Sequence, residues 1–60
     1  MEYQLSVLKS FVRDSIISHP QYKEEINDLF QLCLDEIDEG GSVYNEVTLC
    51  RNDIEEIIKS

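Results

Sequence analysis

Apolar side chains recur every three or four residues along most of the chain, which is the spacing of one face of an α-helix. The pattern is interrupted at His19-Pro20 and again at Gly40-Gly41. It therefore predicts an all-α chain of three helices, over residues 2–18, 21–39 and 43–59. The predicted core stripes are Leu5, Leu8, Val12 and Ile16 in the first helix, Tyr22, Ile26, Leu29, Cys33 and Ile37 in the second, and Val43, Val47, Cys50, Ile54 and Ile57 in the third.

The first interruption predicts the start of the second helix. His19 precedes a proline and is therefore pushed away from helical geometry. Pro20 suits the first turn of a helix, and Ser18 followed three residues later by Gln21 fits a capping box. We expect the second helix to begin at about Gln21.

The second interruption predicts a hairpin. Gly40 suits the position just past a helix end, and Ser42 can cap the helix that follows. We expect residues 35–42 to fold the second and third helices into an antiparallel pair. The first helix then packs across them, which gives a small three-helix bundle formed by residues 1–60 as a single domain.

Some apolar residues lie outside the predicted core stripes. A chain of 60 residues buries only about 60% of the surface that its unfolded form exposes, and exposed apolar patches usually mark interfaces. We therefore expect a homodimer, the commonest symmetric way to cover such a surface. In the alternative interpretation, the first helix lies deep in the monomer with its edges showing. The expected interface residues are Tyr3, Val7, Phe11, Leu32 and Leu49.

The chain is strongly acidic, with 13 Asp and Glu against 5 Lys and Arg and a net charge of −8. This charge argues against direct binding to nucleic acid or to an anionic membrane, because both require basic residues. Between Glu24 and Glu56 there are 11 acids and one base, Arg51. Such a run is often only a solvated face, but it can also bind a basic partner. The candidate partner-binding acids are Asp35, Glu36, Asp38, Glu39 and Glu46.

The sequence predicts a cytoplasmic protein. No apolar run approaches the roughly 18–20 residues of a membrane span, and the N-terminal residues lack the features of a signal peptide. Cys33 and Cys50 should lie level across the hairpin, either as buried thiols or, under oxidation, as a disulfide. Reduced thiols are favoured in the cytoplasm.

Neither a metal site nor catalysis is expected. With Asp35 as the first position of a calcium loop, Ile37 would occupy the third, which requires an oxygen ligand. Structural zinc would need two ligands besides the cysteines. His19 is the single histidine and lies at a helix break, and the chain has no phosphate-binding loop. We therefore expect a protein that is not an enzyme and has no cofactor.

The C-terminal half resembles the ends of small acidic helical accessory proteins of tailed phages. The resemblance rests on Glu39-Gly40-Gly41-Ser42 and on the stretch from Leu49 to Ile58. It implies a small protein that acts on a host factor or in phage assembly.

Three functions are open from the sequence. The first is a regulator or inhibitor that binds a host or partner protein, with affinity from its apolar residues and steering from its acids. The second is a mimic of nucleic-acid charge that blocks the basic groove of a nucleic-acid-handling or defence protein. The third is a self-assembling structural or assembly protein.

Overall fold

The computed structural model describes residues 3–59, and their regular structure is entirely helical. Three α-helices, α1 (Tyr3–Ser18), α2 (Lys23–Asp38) and α3 (Val43–Lys59), are accompanied by a 3-10 helix at Pro20–Tyr22. The extents of 31 × 18 × 16 Å suit helices of about 25 Å lying side by side. The predicted all-α bundle is confirmed, and the predicted start at residue 2 lies outside the described residues.

The core lies where the three helices meet, since α1 packs against both α2 and α3 and these two pack against each other. Within residues 3–59, every buried apolar residue belongs to one of the predicted stripes, which confirms the helical periodicity as the signal for the core. Leu8, Ile26 and Ile54, one from each helix, have no exposed surface. The buried apolar residues are Leu8, Val12, Ile26, Cys33, Val47, Cys50 and Ile54.

The connection from α1 to α2 differs from the prediction. Pro20, with its fixed φ, starts the 3-10 helix, and the α-helix begins three residues later. The predicted capping box of Ser18 and Gln21 is wrong, because Ser18 still belongs to α1 and His19 is the cap residue, without a side-chain cap hydrogen bond. The N–H of Tyr22 donates instead to the carbonyl of His19 at 3.0 Å.

The turn between α2 and α3 is a Schellman motif that needs both glycines. Gly40 has a φ of 105°, and its N–H donates to the carbonyl of Ile37 at 3.0 Å. The N–H of Gly41 donates to the carbonyl of Glu36 at 2.8 Å. Together these bonds satisfy carbonyls that a helix end leaves open. A Cβ on Gly41 would lie 2.7 Å from that same Glu36 oxygen, so the close approach excludes a side chain there.

The predicted cap of α3 is confirmed. The hydroxyl of Ser42 accepts a long hydrogen bond of 3.5 Å from the N–H of Asn45. The carbonyl of Ser42 accepts from the N–H of Glu46 at 2.9 Å. Because only four residues connect the ends of α2 and α3, the two packed helices run antiparallel as predicted.

Replacing Gly40 with alanine should destabilise the protein by about 1–2 kcal/mol. A positive φ is costly for a residue with a Cβ, although nothing lies within 4 Å of the position that this Cβ would take. Glu39→Ala is the matched control, since that neighbour has an ordinary φ of −85° and is exposed. Urea denaturation should separate the two variants, and equal midpoints would contradict the strain argument.

Candidate functional site

Two exposed leucines lie over a groove between α2 and α3. Leu32 is 56% exposed and Leu49 is 55% exposed, and both line an open groove of about 310 Å³. Leu29, Cys33 and Cys50 complete its apolar lining. We call this surface the leucine groove. The groove lies between two neighbouring antiparallel helices. Both leucines therefore lie off the core stripes, because Leu32 is on the flank of α2 next to α3 and Leu49 is on the flank of α3 next to α2.

Acidic residues form the rim of the leucine groove. Glu36 of α2 and Glu46 and Asp53 of α3 line it, and its lining includes no basic residue. The antiparallel register places Glu36 and Glu46 at the end near the turn. Asp53 lies at the opposite end, near Leu29. The groove therefore presents an apolar strip between carboxylates at both ends.

The two cysteines lie side by side beneath the exposed leucines. Both are free thiols and both are buried. Burial raises the pKa of Cys33, and the carboxylate of Glu46 raises it further, while the hydrogen bond with Cys50 lowers it. The pKa of Cys50 is raised to about 12, and burial is the largest cause. Cys33 raises it further, through the charge that it carries when ionised and through its hydrogen bond, and so does the charge of Asp53. Both thiols are therefore neutral at pH 7 and poor nucleophiles, and they contribute to the groove as small apolar groups.

The other three candidate acids lie outside the leucine groove. Asp35, Asp38 and Glu39 are exposed near the end of α2, and none of them lines the groove. Asp35 accepts a hydrogen bond of 3.1 Å from the amide of Gln31. The structure thus divides the predicted acidic surface into two parts, with Glu36 and Glu46 on the groove and these three residues beside it.

A second apolar surface lies between α1 and α3. Tyr3 and Tyr44 are 77% and 63% exposed, and Val7 is 37% exposed. These three side chains line one depression with Arg51. We call it the tyrosine patch. Among residues 3–59, the lining of the tyrosine patch includes no acid, in contrast to the leucine groove.

Phe11 differs from the other four expected interface residues in its exposure. It is half-buried and packs against the core. The guanidinium carbon of Arg51 lies 5.4 Å from the centre of its ring, within the range of a cation–π contact. The five predicted interface residues therefore do not form one surface: Leu32 and Leu49 share the leucine groove, Tyr3 and Val7 share the tyrosine patch, and Phe11 is covered by an arginine from another helix.

The sequence interpretation missed two exposed residues and one role. Asp53 on the groove rim and Tyr44 on the tyrosine patch were not among the candidates. Their positions in the helical pattern of α3 beside Leu49 and Val47 could have identified them once the faces of the neighbouring helices were known. Leu29 was assigned to the core, and it also forms part of the groove.

The described part of the chain offers no group of three or more His, Cys, Asp or Glu residues arranged to hold a metal ion. None of the helices within residues 3–59 combines the length and the apolar character that a membrane crossing requires.

Comparison of the chain with protein-family models, curated proteins and solved structures found no significant match. The site's own geometry therefore carries the functional argument.

Proposed function

We propose that this protein is a small, non-catalytic interaction module that regulates or inhibits a partner protein by binding it in the leucine groove. The observation that carries the proposal is the pair of leucines, Leu32 and Leu49, each more than half exposed on one groove. Burying such side chains on binding is favourable by about 25 cal/mol per Å² of apolar surface. The acidic rim would steer a basic partner and select against acidic ones.

The chemistry of the thiols supports a binding role over a catalytic one. A cysteine nucleophile needs a lowered pKa and an accessible thiolate, whereas burial raises the pKa of both Cys33 and Cys50. We place the interaction in the cytoplasm, where free thiols such as these persist.

A second candidate function is a mimic of nucleic-acid charge. The observation that favours it is the exposed row of Asp35, Asp38 and Glu39 beside the groove acids. Such a mimic would occupy a basic groove of a nucleic-acid-handling or defence protein. Its affinity would come from charge, so it would fall steeply with salt and would depend little on the leucines.

We further propose that two copies pair through the tyrosine patch. Its two exposed tyrosines supply apolar area, and the residues that the structure describes in its lining include Arg51 and no acid. With a net charge of −8 on each copy, the described part of this face lets two copies approach with less repulsion than the acidic groove would. The leucine groove would then stay open in the dimer.

The proposal is tested by affinity capture of the tagged protein from a lysate of the cells that naturally make it. Leu49→Asp should lose the captured partner, because it places a charge where apolar surface is buried. Ile17→Asp is the matched control, since Ile17 is 70% exposed and lies on α1, away from the groove. The control should retain the partner.

The other functions give different results in the same experiment. If the Leu49→Asp variant still captures the partner, and a variant with Asp35, Asp38 and Glu39 all neutralised does not, the result would favour the charge mimic over the regulator. If only the tagged protein itself is recovered, and sedimentation gives a defined multiple of its mass, the result would favour the self-assembling protein. Circular dichroism of every variant shows whether the helices are retained.

A further inference from the structure

We infer that the occupant of the leucine groove is a short basic amphipathic helix of the partner protein, an inference that rests on the proposed function. The shape of the groove, the backbone around it and its charges point to this class of ligand independently.

The length of the groove fits two turns of a helix. Its lining extends over seven residue steps on α2, from Leu29 to Glu36, and over seven on α3, from Glu46 to Asp53. At 1.5 Å per residue this is about 10 Å. The apolar part of the lining covers about four residue steps, from Leu29 to Cys33, and the acids take the remaining length. A helix laid along the groove can therefore place apolar side chains at positions i, i+3 and i+4 against the strip and polar side chains against its ends. Leu32 and Leu49 would then be covered together.

The backbone around the groove favours a helix over an extended peptide. Both walls are α-helices, and their backbone N–H and C=O groups are paired within each helix. An added strand would therefore find no open sheet edge to bond to. A helix satisfies its own backbone hydrogen bonds and needs only apolar contact from the groove.

The charges of the rim specify the polar positions of that helix. Glu36 and Glu46 lie at one end of the strip and Asp53 at the other, without a basic residue in the lining. Lysine or arginine side chains flanking the apolar positions at both ends would complement these acids. A second copy of this chain is a poor occupant, because its own acidic rim and its charge of −8 would meet like charge.

The test uses the full-length protein and a synthetic 14-residue peptide with acetylated and amidated ends. The peptide carries leucines at i, i+3 and i+4 and lysines at the flanking positions. One control peptide has the same composition with the leucines scattered around the helix. A second control replaces every lysine with glutamate. Binding is followed by fluorescence anisotropy of a labelled peptide, and its helicity by circular dichroism.

The amphipathic lysine peptide should bind and become more helical on binding. Leu32→Asp and Leu49→Asp should each weaken its binding at least about tenfold, while Ile17→Asp should leave it unchanged. Neutralising the rim, by Glu36→Gln, Glu46→Gln and Asp53→Asn together, should weaken it about tenfold at low salt. The same triple change should also flatten its salt dependence.

Two results would overturn the inference. Equal binding of the scattered-leucine peptide would show that charge alone attracts it and that no helical face is recognised. Absence of binding by all three peptides at millimolar concentration would remove the helix as occupant. In that case, capture of a partner that Leu49→Asp abolishes would still support the proposed function, so the two failures are distinguishable.

Discussion

Replacing Ile54 with alanine is expected to remove a large share of the stability of the fold. Ile54 has no exposed surface and lies in the core with residues of all three helices. Truncating a buried isoleucine to alanine costs about 2–5 kcal/mol, since the lost burial is compounded by the cavity left behind. A domain of 60 residues has about 3–9 kcal/mol in total. The variant should therefore lose a large fraction of that total, and its urea midpoint should fall steeply.

Leu49→Ala is the matched control for that variant. It removes a similar apolar side chain from the same helix, at a position that is 55% exposed. Its free energy of unfolding should stay within about 0.5 kcal/mol of the parent. Urea titration followed by circular dichroism measures both. Equal losses of unfolding free energy in the two variants would contradict the difference in burial between Ile54 and Leu49.

Helical periodicity identified the buried apolar residues of the core within residues 3–59. The stripes of α2 and α3 were identified from spacing alone because a helix that buries one face must repeat its apolar residues at about 3.6 positions. The Gly40-Gly41 turn was also predictable, since few residues other than glycine adopt the positive φ that it requires. Spacing could not reveal that Pro20 begins a 3-10 helix, because a proline at a helix start is compatible with both helix types.

The candidate site was only partly predictable, for a different physical reason. Periodicity indicates which face of one helix is apolar, but it does not give the rotation of that helix relative to its neighbours. Leu32 and Leu49 were identified as lying off the core stripes, whereas their meeting in one groove depends on the packing of α2 against α3. The covering of Phe11 by Arg51 is likewise a contact between helices distant in sequence.

The neutral thiols at the base of the groove should make the protein less stable in alkaline solution. The pKa of Cys50 is about 12 in the folded protein, against an ordinary value of 9.0. Between these values the unfolded chain loses the proton that the folded chain keeps, so the unfolded state binds fewer protons. The free energy of unfolding therefore falls as the pH rises. This contribution is fully present below pH 9 and is lost as the pH rises towards 12.

From this one thiol, the loss should be about 1 kcal/mol between pH 9 and pH 10. Urea titrations in the presence of a reductant would measure it by comparing the parent with Cys50→Ala. Tyrosine and lysine also ionise in this range, but they are the same in both proteins and cancel in the difference. Cys33 does not cancel fully, because the hydrogen bond from Cys50 lowers its pKa, so the measured difference should be somewhat smaller than the contribution of Cys50. Cys50→Ala should start from a lower stability because of its cavity, yet its stability should decline less with pH. Parallel declines would show that Cys50 ionises as easily in the folded protein as in the unfolded chain. The assignment of Cys50 as a buried apolar group at the base of the leucine groove would then be wrong.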